Sequence, residues 1–291
     1  MSSHVEFAPA KLNLALHVLG KRPDGYHEIE TLVAFAGIGD TVSAEPADRD
    51  EFVAEGSFAS SLPPSGNLVE MARDALRAHS RSSRPVRLVL TKRLPVASGI
   101  GGGSADAAAT LRALARFWRL GSREAVEETL CEVGARIGAD VPMCVLSRPL
   151  VARGIGEKLT PVPAFDLAEM ACVIVNPLMP LETPEVFSAL KRRDHPPLPP
   201  LGGRTTIEWL RTTRNDLAEP ARRLVPLIGE VLDALSGATL SRMSGSGATC
   251  FGLYENERVA AQAANRIGRD HPDWFVRSTT LNGMRDKTEG A

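Results

Sequence analysis

Residues Leu94–Leu120 read LPVASGIGGGSADAAATLRALARFWRL. Four glycines fall within five positions (Gly99, Gly101, Gly102 and Gly103), and Ser104 and an alanine-rich run follow. Glycine takes positive φ and lets a backbone come close to a ligand, while alanine is the strongest helix former. A helix starting at or just after Ser104 turns its unpaired N–H groups and the positive end of its dipole back into the loop. That is the makings of a phosphate site. A plain turn needs fewer glycines, because each one adds to the entropy lost on folding. Two familiar phosphate loops do not fit. Walker A requires Lys after its last glycine, where Ser104 stands, and counting G-x-G-x-x-G from Gly99 also lands on Ser104. What stands is P-x-x-x-G-x-G-G-G-S-x-D-A-A, from Pro95 to Ala108.

Working outward, Val86–Lys92 (VRLVLTK) reads as a strand running straight into the loop. Asn67 caps a helix reaching to about His79, with Leu68, Met71, Ala75 and Leu76 as its apolar stripe. Arg77, Arg81, Arg84 and Arg87 read as a solvated basic face. Downstream, Ala108, Leu111, Ala115 and Trp118 keep helical spacing; Ser122 caps a second helix with Val126, Leu130, Val133 and Ile137 inward. GADVP (Gly138–Pro142) then links two elements. Its Asp140 is either a helix cap or a working carboxylate, and spacing alone favours the cap.

At the start of the chain, residues 4–8 and 12–19 read as strands. Leu12, Leu14, Leu16 and Val18 share one face, and Lys11 and Asn13 the other. Residues 20–28 (GKRPDGYHE) form a turn into a second β-rich run, 29–35, which makes a hairpin and leaves Tyr26 and His27 partly exposed. Short strands follow near 41–55. Residues 150–167, with two glycines and two prolines, mark the boundary between domains 1–160 and 161–291. Beyond it come a strand (170–175), a helix opened by Thr183-Pro184-Glu185, a proline-rich loop (195–203) and a helical stretch (215–235) interrupted by Pro220 and Pro226. A strand–glycine turn–strand (240–254), a helix (256–268) and a last strand (274–281) complete a split-βαβ, ferredoxin-like order.

Composition bounds the function. Hydrophobic residues make up 43% and charged residues 24% of 291, and net charge is −1, so the chain is a globular protein and not a dedicated nucleic-acid binder. The four cysteines, Cys131, Cys144, Cys172 and Cys250, lie far apart in no metal-ligand spacing, as expected of reduced cysteines in a cytoplasmic protein. The apolar run at 12–20 is interrupted by Asn13 and His17 and lacks a cleavage site, and no stretch reaches membrane-spanning length, so neither export nor membrane association is expected.

Three motifs stand together: PAKLNLALHVLGKRPDGYHEIETL (9–32), PVASGIGGGSADAAA (95–109) and LSRMSGSGATCF (240–251), with GADVP between the last two. In this order the chain resembles the GHMP small-molecule kinases over nearly its whole length. The PAKLNL…RPDGYHE opening points to members acting on a cytidine-linked polyol of the non-mevalonate isoprenoid route. The resemblance implies an α+β, two-domain GHMP kinase fold. Its N-terminal domain is like the second domain of ribosomal protein S5 and its C-terminal domain is ferredoxin-like, with ATP and substrate in the cleft between them. It implies ATP- and Mg²⁺-dependent phosphorylation of the 2-hydroxyl of diphosphocytidyl-methylerythritol.

Matched residue by residue, Asp140 takes the place of the catalytic base and Lys11 that of the catalytic lysine. Pro95, Val96, Ala97, Ser98, Gly99, Ile100, Gly101, Gly102, Gly103, Ser104, Ala105 and Asp106 match the ATP loop, with Ser104 near Mg²⁺ through the phosphates and Asn67 toward the adenine. Tyr26 and His27, with Phe187, match the cytidine contacts, Asn13 the polar tail, and Gly245, Ser246 and Gly247 the second domain's closing turn. Ala105 departs from the family's usual second Ser, so any role of that hydroxyl is missing. Other GHMP kinases, acting on homoserine or mevalonate, a GHMP-fold decarboxylase, and a binding module that keeps the ATP site are the alternatives. Nothing in the apolar pattern marks an interface, which leaves monomer and homodimer both open.

Overall fold

The computed structural model describes residues 3–63, 66–162, 166–167 and 169–282. The described residues fall into two compact units, each drawn from separated stretches: Met1–Ala10, Ile38–Val96 and Gly101–Ser147 in the first, Lys11–Gly37, Ala97–Ile100 and Arg148–Ala291 in the second.

Strands β1 (His4–Lys21) and β2 (His27–Pro46) each contribute to both units and pair with one another. Sequence reading broke each of them in two. In fact Pro9 sits inside β1 without ending it. Gly39, which reads as a breaker, is where β2 passes so close to β1 that a Cβ would run into the Ala8 carbonyl. Nor is β1 one-faced: Leu12 and Leu14 are buried, and so are Lys11, Asn13 and His17.

In the first unit, the C-terminal part of β2 pairs antiparallel with β4 (Val86–Thr91), which pairs parallel with β3 (Glu51–Glu55). Helix α1 (Leu68–Ser80) makes the crossover between β3 and β4. The Asn67 side chain caps α1, accepting from the Val69 N–H at 2.8 Å. Its inward stripe is Val69, Ala72 and Leu76, whereas Met71, expected inside, is exposed. Helix α2 (Gly102–Phe117) packs against α1, α3 (Arg123–Ala135) and α4 (Val141–Leu146), so it is buried on almost every face rather than along one stripe. Its alanines are what let three helices come that close. Arg112, in the same helix, is buried with its guanidinium on Glu6 and on the Cys144 and Phe7 carbonyls. Two arginines of the expected solvated face are engaged: Arg77 bonds Asp50, and Arg84 lies 4.0 Å over the Phe117 ring. In α3, Val126, Leu130 and Val133 are buried as expected, but Ile137 lies past the helix end and is only half-buried.

In the second unit, the N-terminal part of β2 pairs with β5 (Leu150–Gly154), and β5 pairs with β6 (Lys158–Pro161). The other sheet has β7 (Ala171–Asn176), β8 (Leu240–Met243), β9 (Cys250–Leu253) and β10 (Phe275–Thr280) in the antiparallel order β10-β7-β9-β8. That is the order of a split βαβ. Helices α5 (Thr183–Ser188), α6 (Thr206–Arg211), α7 (Ala218–Leu224) and α8 (Leu227–Ala234) lie between β7 and β8, and α9 (Glu257–Asp270) between β9 and β10. The core joins Val173, Val175, Leu217, Ile228, Met243 and Ile267. Pro226 ends a helix as expected. Pro220 does not, because it falls in the first turn of α7, where no N–H is needed. Helix α6, closed by a capping box of Thr205 and Glu208, had no apolar period long enough to show in the sequence.

Candidate active site

In the first unit the site gathers at the N-terminus of α2. The helix starts at Gly102, two residues before Ser104, with Gly101 as N-cap at φ 65°. Gly102, Gly103 and Ser104 therefore all belong to its first turn, with N–H groups free of helical partners. A positive charge lies beneath them. Lys92, almost fully buried, donates to Asp40 Oδ2 at 2.6 Å and to Asp106 Oδ2 at 2.8 Å. The other oxygen of Asp40 accepts the Arg93 and Leu94 N–H groups, which fixes the chain as it leaves β4. Gly102 permits this closeness, since a Cβ there would stand 3.1 Å from Nζ. Burial, eased by Lys92 and reinforced by the Asp40 charge, pushes the Asp106 carboxyl up to about 7.

Sequence reading gave Lys92 and Asp40 no role. The signal was the parity of β4: Lys92 continues the buried register of Val86, Leu88 and Leu90. Ala105 is also buried, in the first turn of α2. Asn67 puts its side-chain oxygen on α1.

Asp140 takes the N-cap position of α4, half-buried, but its side chain makes no capping hydrogen bond. The cap expected from spacing is therefore absent, and α4 begins instead on Pro142 in its first turn.

In the second unit the loop segment Ala97–Ile100 meets the turn between β8 and β9. The Lys11 N–H donates to the Ile100 carbonyl at 2.9 Å, and the buried Lys11 side chain lies on β1 two residues before Asn13. The Ser98 carbonyl accepts from Thr249 Oγ1, and Ser244 Oγ donates to the Gly99 carbonyl at 3.2 Å. Gly99 (φ 74°) lies so close to Gly247 (φ 90°) that a Cβ would strike the Gly247 carbonyl. Asn215, also unread in the sequence, donates to the Met243 and Gly245 carbonyls at 2.8 Å and holds the turn. Ser246 bonds Thr183 at 2.7 Å.

Asn13 sits among these groups, 3% exposed. Its backbone N–H donates to Ser244 Oγ at 3.0 Å and its Nδ2 to Thr31 Oγ1 at 2.8 Å, while its Oδ1 is buried without a hydrogen bond. An acceptor left this way costs roughly 1–3 kcal/mol until something donates to it.

At the other end of β1, the Tyr26 ring is exposed, and His27 stacks on Phe187 with centroids 4.8 Å apart at 26°. Burial, with Arg193 and Lys21 nearby, lowers the His27 pKa, so the ring is neutral at pH 7. A neutral imidazole offers one donor and one acceptor.

Residues 67–148 match the model of the GHMP kinases N terminal domain, and residues 187–273 that of the GHMP kinases C terminal. A 4-diphosphocytidyl-2-C-methyl-D-erythritol kinase from Chelativorans sp. (strain BNC1) is 52% identical over 280 residues, covering 94% of each chain. A crystal structure of a 4-(cytidine 5'-diphospho)-2C-methyl-D-erythritol kinase matches with a TM-score of 0.79 at 32% identity, over 95% of this chain and 98% of the other. Homoserine kinase from Cytophaga hutchinsonii shares the fold, with a TM-score of 0.68 over 97% of this chain and 96% of its own, but only 17% identity. The expected α+β, two-domain GHMP kinase fold holds, and half of the residues are shared across nearly the whole length. The chain belongs to the GHMP kinases and, within them, to the 4-diphosphocytidyl-2-C-methyl-D-erythritol kinase family.

Proposed function

We propose that this chain transfers the γ-phosphoryl group of ATP to the 2-hydroxyl of 4-diphosphocytidyl-2-C-methyl-D-erythritol. The new O–P bond forms as the bond from Pγ to ADP breaks. The observation that carries the reading is the first turn of α2, where the helix starts on Gly102 behind an N-cap Gly101 and leaves the N–H groups of Gly102, Gly103 and Ser104 without helical partners. Phosphoryl transfer needs positioning and charge stabilisation above all, and this turn provides both for the ATP phosphates. Asp140 takes the proton of the attacking hydroxyl, and Lys11 stabilises charge on the transferring group. In this reading 1–160 is the ATP-binding domain and 161–291 the C-terminal domain, and the protein works in the cytoplasm.

Mg²⁺ fits as an ion held mainly by ATP. Among the described residues no group of three or more His, Cys, Asp or Glu forms a cage, and Mg²⁺ commonly keeps waters and phosphate oxygens with few protein ligands. Ser104, a half-buried hydroxyl on the first turn of α2, would hold it. The ion would supply positive charge at the phosphates.

The cytosine rests on the aromatic group of Tyr26, His27 and Phe187. Tyr26→Ala is expected to raise KM for the cytidine substrate about 10-fold, a stacking loss of ~1–1.5 kcal/mol, and to leave KM for ATP unchanged. Initial rates with each substrate varied in turn check this. The reading as a whole is tested by ADP release with diphosphocytidyl-methylerythritol, mevalonate or homoserine as acceptor. Turnover with the first alone is expected. Turnover with either of the others would sink the cytidine assignment while leaving a kinase.

A further inference from the structure

We propose that Thr31 is a positioning residue, which fixes the Asn13 amide so that its Oδ1 faces the acceptor substrate as a bare hydrogen-bond acceptor. The proposal rests on the reading of the chain as a kinase for a polyol acceptor. Thr31, 1% exposed on β2, has a single hydroxyl proton, and it goes to the Ala15 carbonyl at 2.6 Å. The Thr31 oxygen can therefore only accept from Asn13, and the amide must turn its NH₂ toward Thr31 at 2.8 Å. That leaves Oδ1 on the opposite side, buried and unbonded.

The neighbours keep the place open. Gly245 lies there with φ 55°, and a Cβ at that position would come within 3.2 Å of Oδ1. Ser244 holds the Asn13 backbone N–H and passes its own proton to the Gly99 carbonyl, so it has none to give the amide. Oδ1 thus selects a ligand group that donates, such as a hydroxyl of a polyol, and rejects an ether or carbonyl oxygen. Lys11 lies on the same face of β1, two residues away, which sets this acceptor beside the lysine assigned to the reaction.

Three measurements test it. Thr31→Val keeps the shape but removes the anchor, and is expected to raise KM for diphosphocytidyl-methylerythritol about 10-fold with KM for ATP unchanged, as for the loss of one oriented hydrogen bond. Thr31→Ser keeps the hydroxyl and is expected to restore the wild-type KM. In an Asn13→Ala background Thr31→Val is expected to add nothing, because the amide it positions is gone. The side-chain amide protons of Asn13, followed by NMR without substrate, should lose their protection from exchange in Thr31→Val. The proposal is overturned if Thr31→Val does equal damage without Asn13, or if those protons stay protected. A wild-type protein that leaves the cytidine substrate unphosphorylated would strike the acceptor reading instead, and the amide protons would still decide whether Thr31 holds Asn13.

Discussion

Asp140→Ala is expected to lower kcat at least ~100-fold, the usual scale for losing a general base, while shifting the thermal midpoint little. The two halves of this result separate two roles. A cap removed by alanine costs a protein about 0.5–2 kcal/mol and leaves chemistry alone. A base removed by alanine does the reverse. The structure already disfavours the cap, because the Asp140 side chain makes no capping hydrogen bond to α4. Asp140→Asn sharpens the comparison, since asparagine caps as well as aspartate but cannot take a proton. The amide is expected to be as slow as the alanine, with binding of ATP unchanged when followed by calorimetry. An Asp140→Asn protein with wild-type kcat would remove Asp140 from the reaction and return it to the helix.

What the sequence made legible here follows from how local each signal was. The loop, the caps at Asn67 and Ser122 and the ferredoxin-like order of β7 to β10 all announce themselves within a few residues, through glycine, a capping side chain or a strand period. Strands β1 and β2 did not, because proline and glycine break most strands, and the close pass of β2 over Ala8, which requires glycine at position 39, is visible only in the folded chain. Met71 was misplaced because two helical phases fit the same residues, and packing against α2 chose the one through Val69 and Leu76. For Asp140, spacing alone favoured a cap, by a rule that is right for most aspartates before a helix, and its side chain makes no capping hydrogen bond to α4. Lys92, Asp40 and Asp106 stand far apart in sequence and meet only through the sheet and α2. Parity could have flagged the lysine as inward, but nothing local names its partners.

That buried cluster carries the second large effect. Lys92→Met is expected to destabilise the protein by about 3–5 kcal/mol at pH 8, the scale for removing one partner from a buried ion pair. For a chain of this length that is a midpoint lowered by about 10 °C. Burial alone would lower the Lys92 pKa, but Asp106 and Asp40 overcome it and raise the pKa, so the ammonium stays charged. Without it two buried carboxylates, Asp40 0% and Asp106 2% exposed, face each other.

The pH dependence gives the direction. The folded Asp106 carboxyl, at about 7 against an ordinary 3.8, holds a proton that the unfolded chain releases. Its contribution is therefore full below about pH 4, falls as pH rises toward 7, and is flat above. Lys92→Met removes a group that lowers this pKa and extends the fall to higher pH. The deficit of the variant should therefore shrink as the pH is lowered from 8 to 5, in denaturant titrations at each pH. Replacing all three together, Asp40→Asn, Lys92→Met and Asp106→Asn, removes every charge and is expected to recover most of the stability, since neutral groups in place of a buried ion network are often tolerated. The recovery should not extend to the affinity for ATP. On the proposed reading the first turn of α2 receives the ATP phosphates, and Lys92 places positive charge beneath that turn, so the neutral triple variant is expected to fold well and bind ATP more weakly. A Lys92→Met protein as stable as wild type at pH 8, or a triple variant no more stable than the single one, would show that the cluster does not hold this end of α2 by charge.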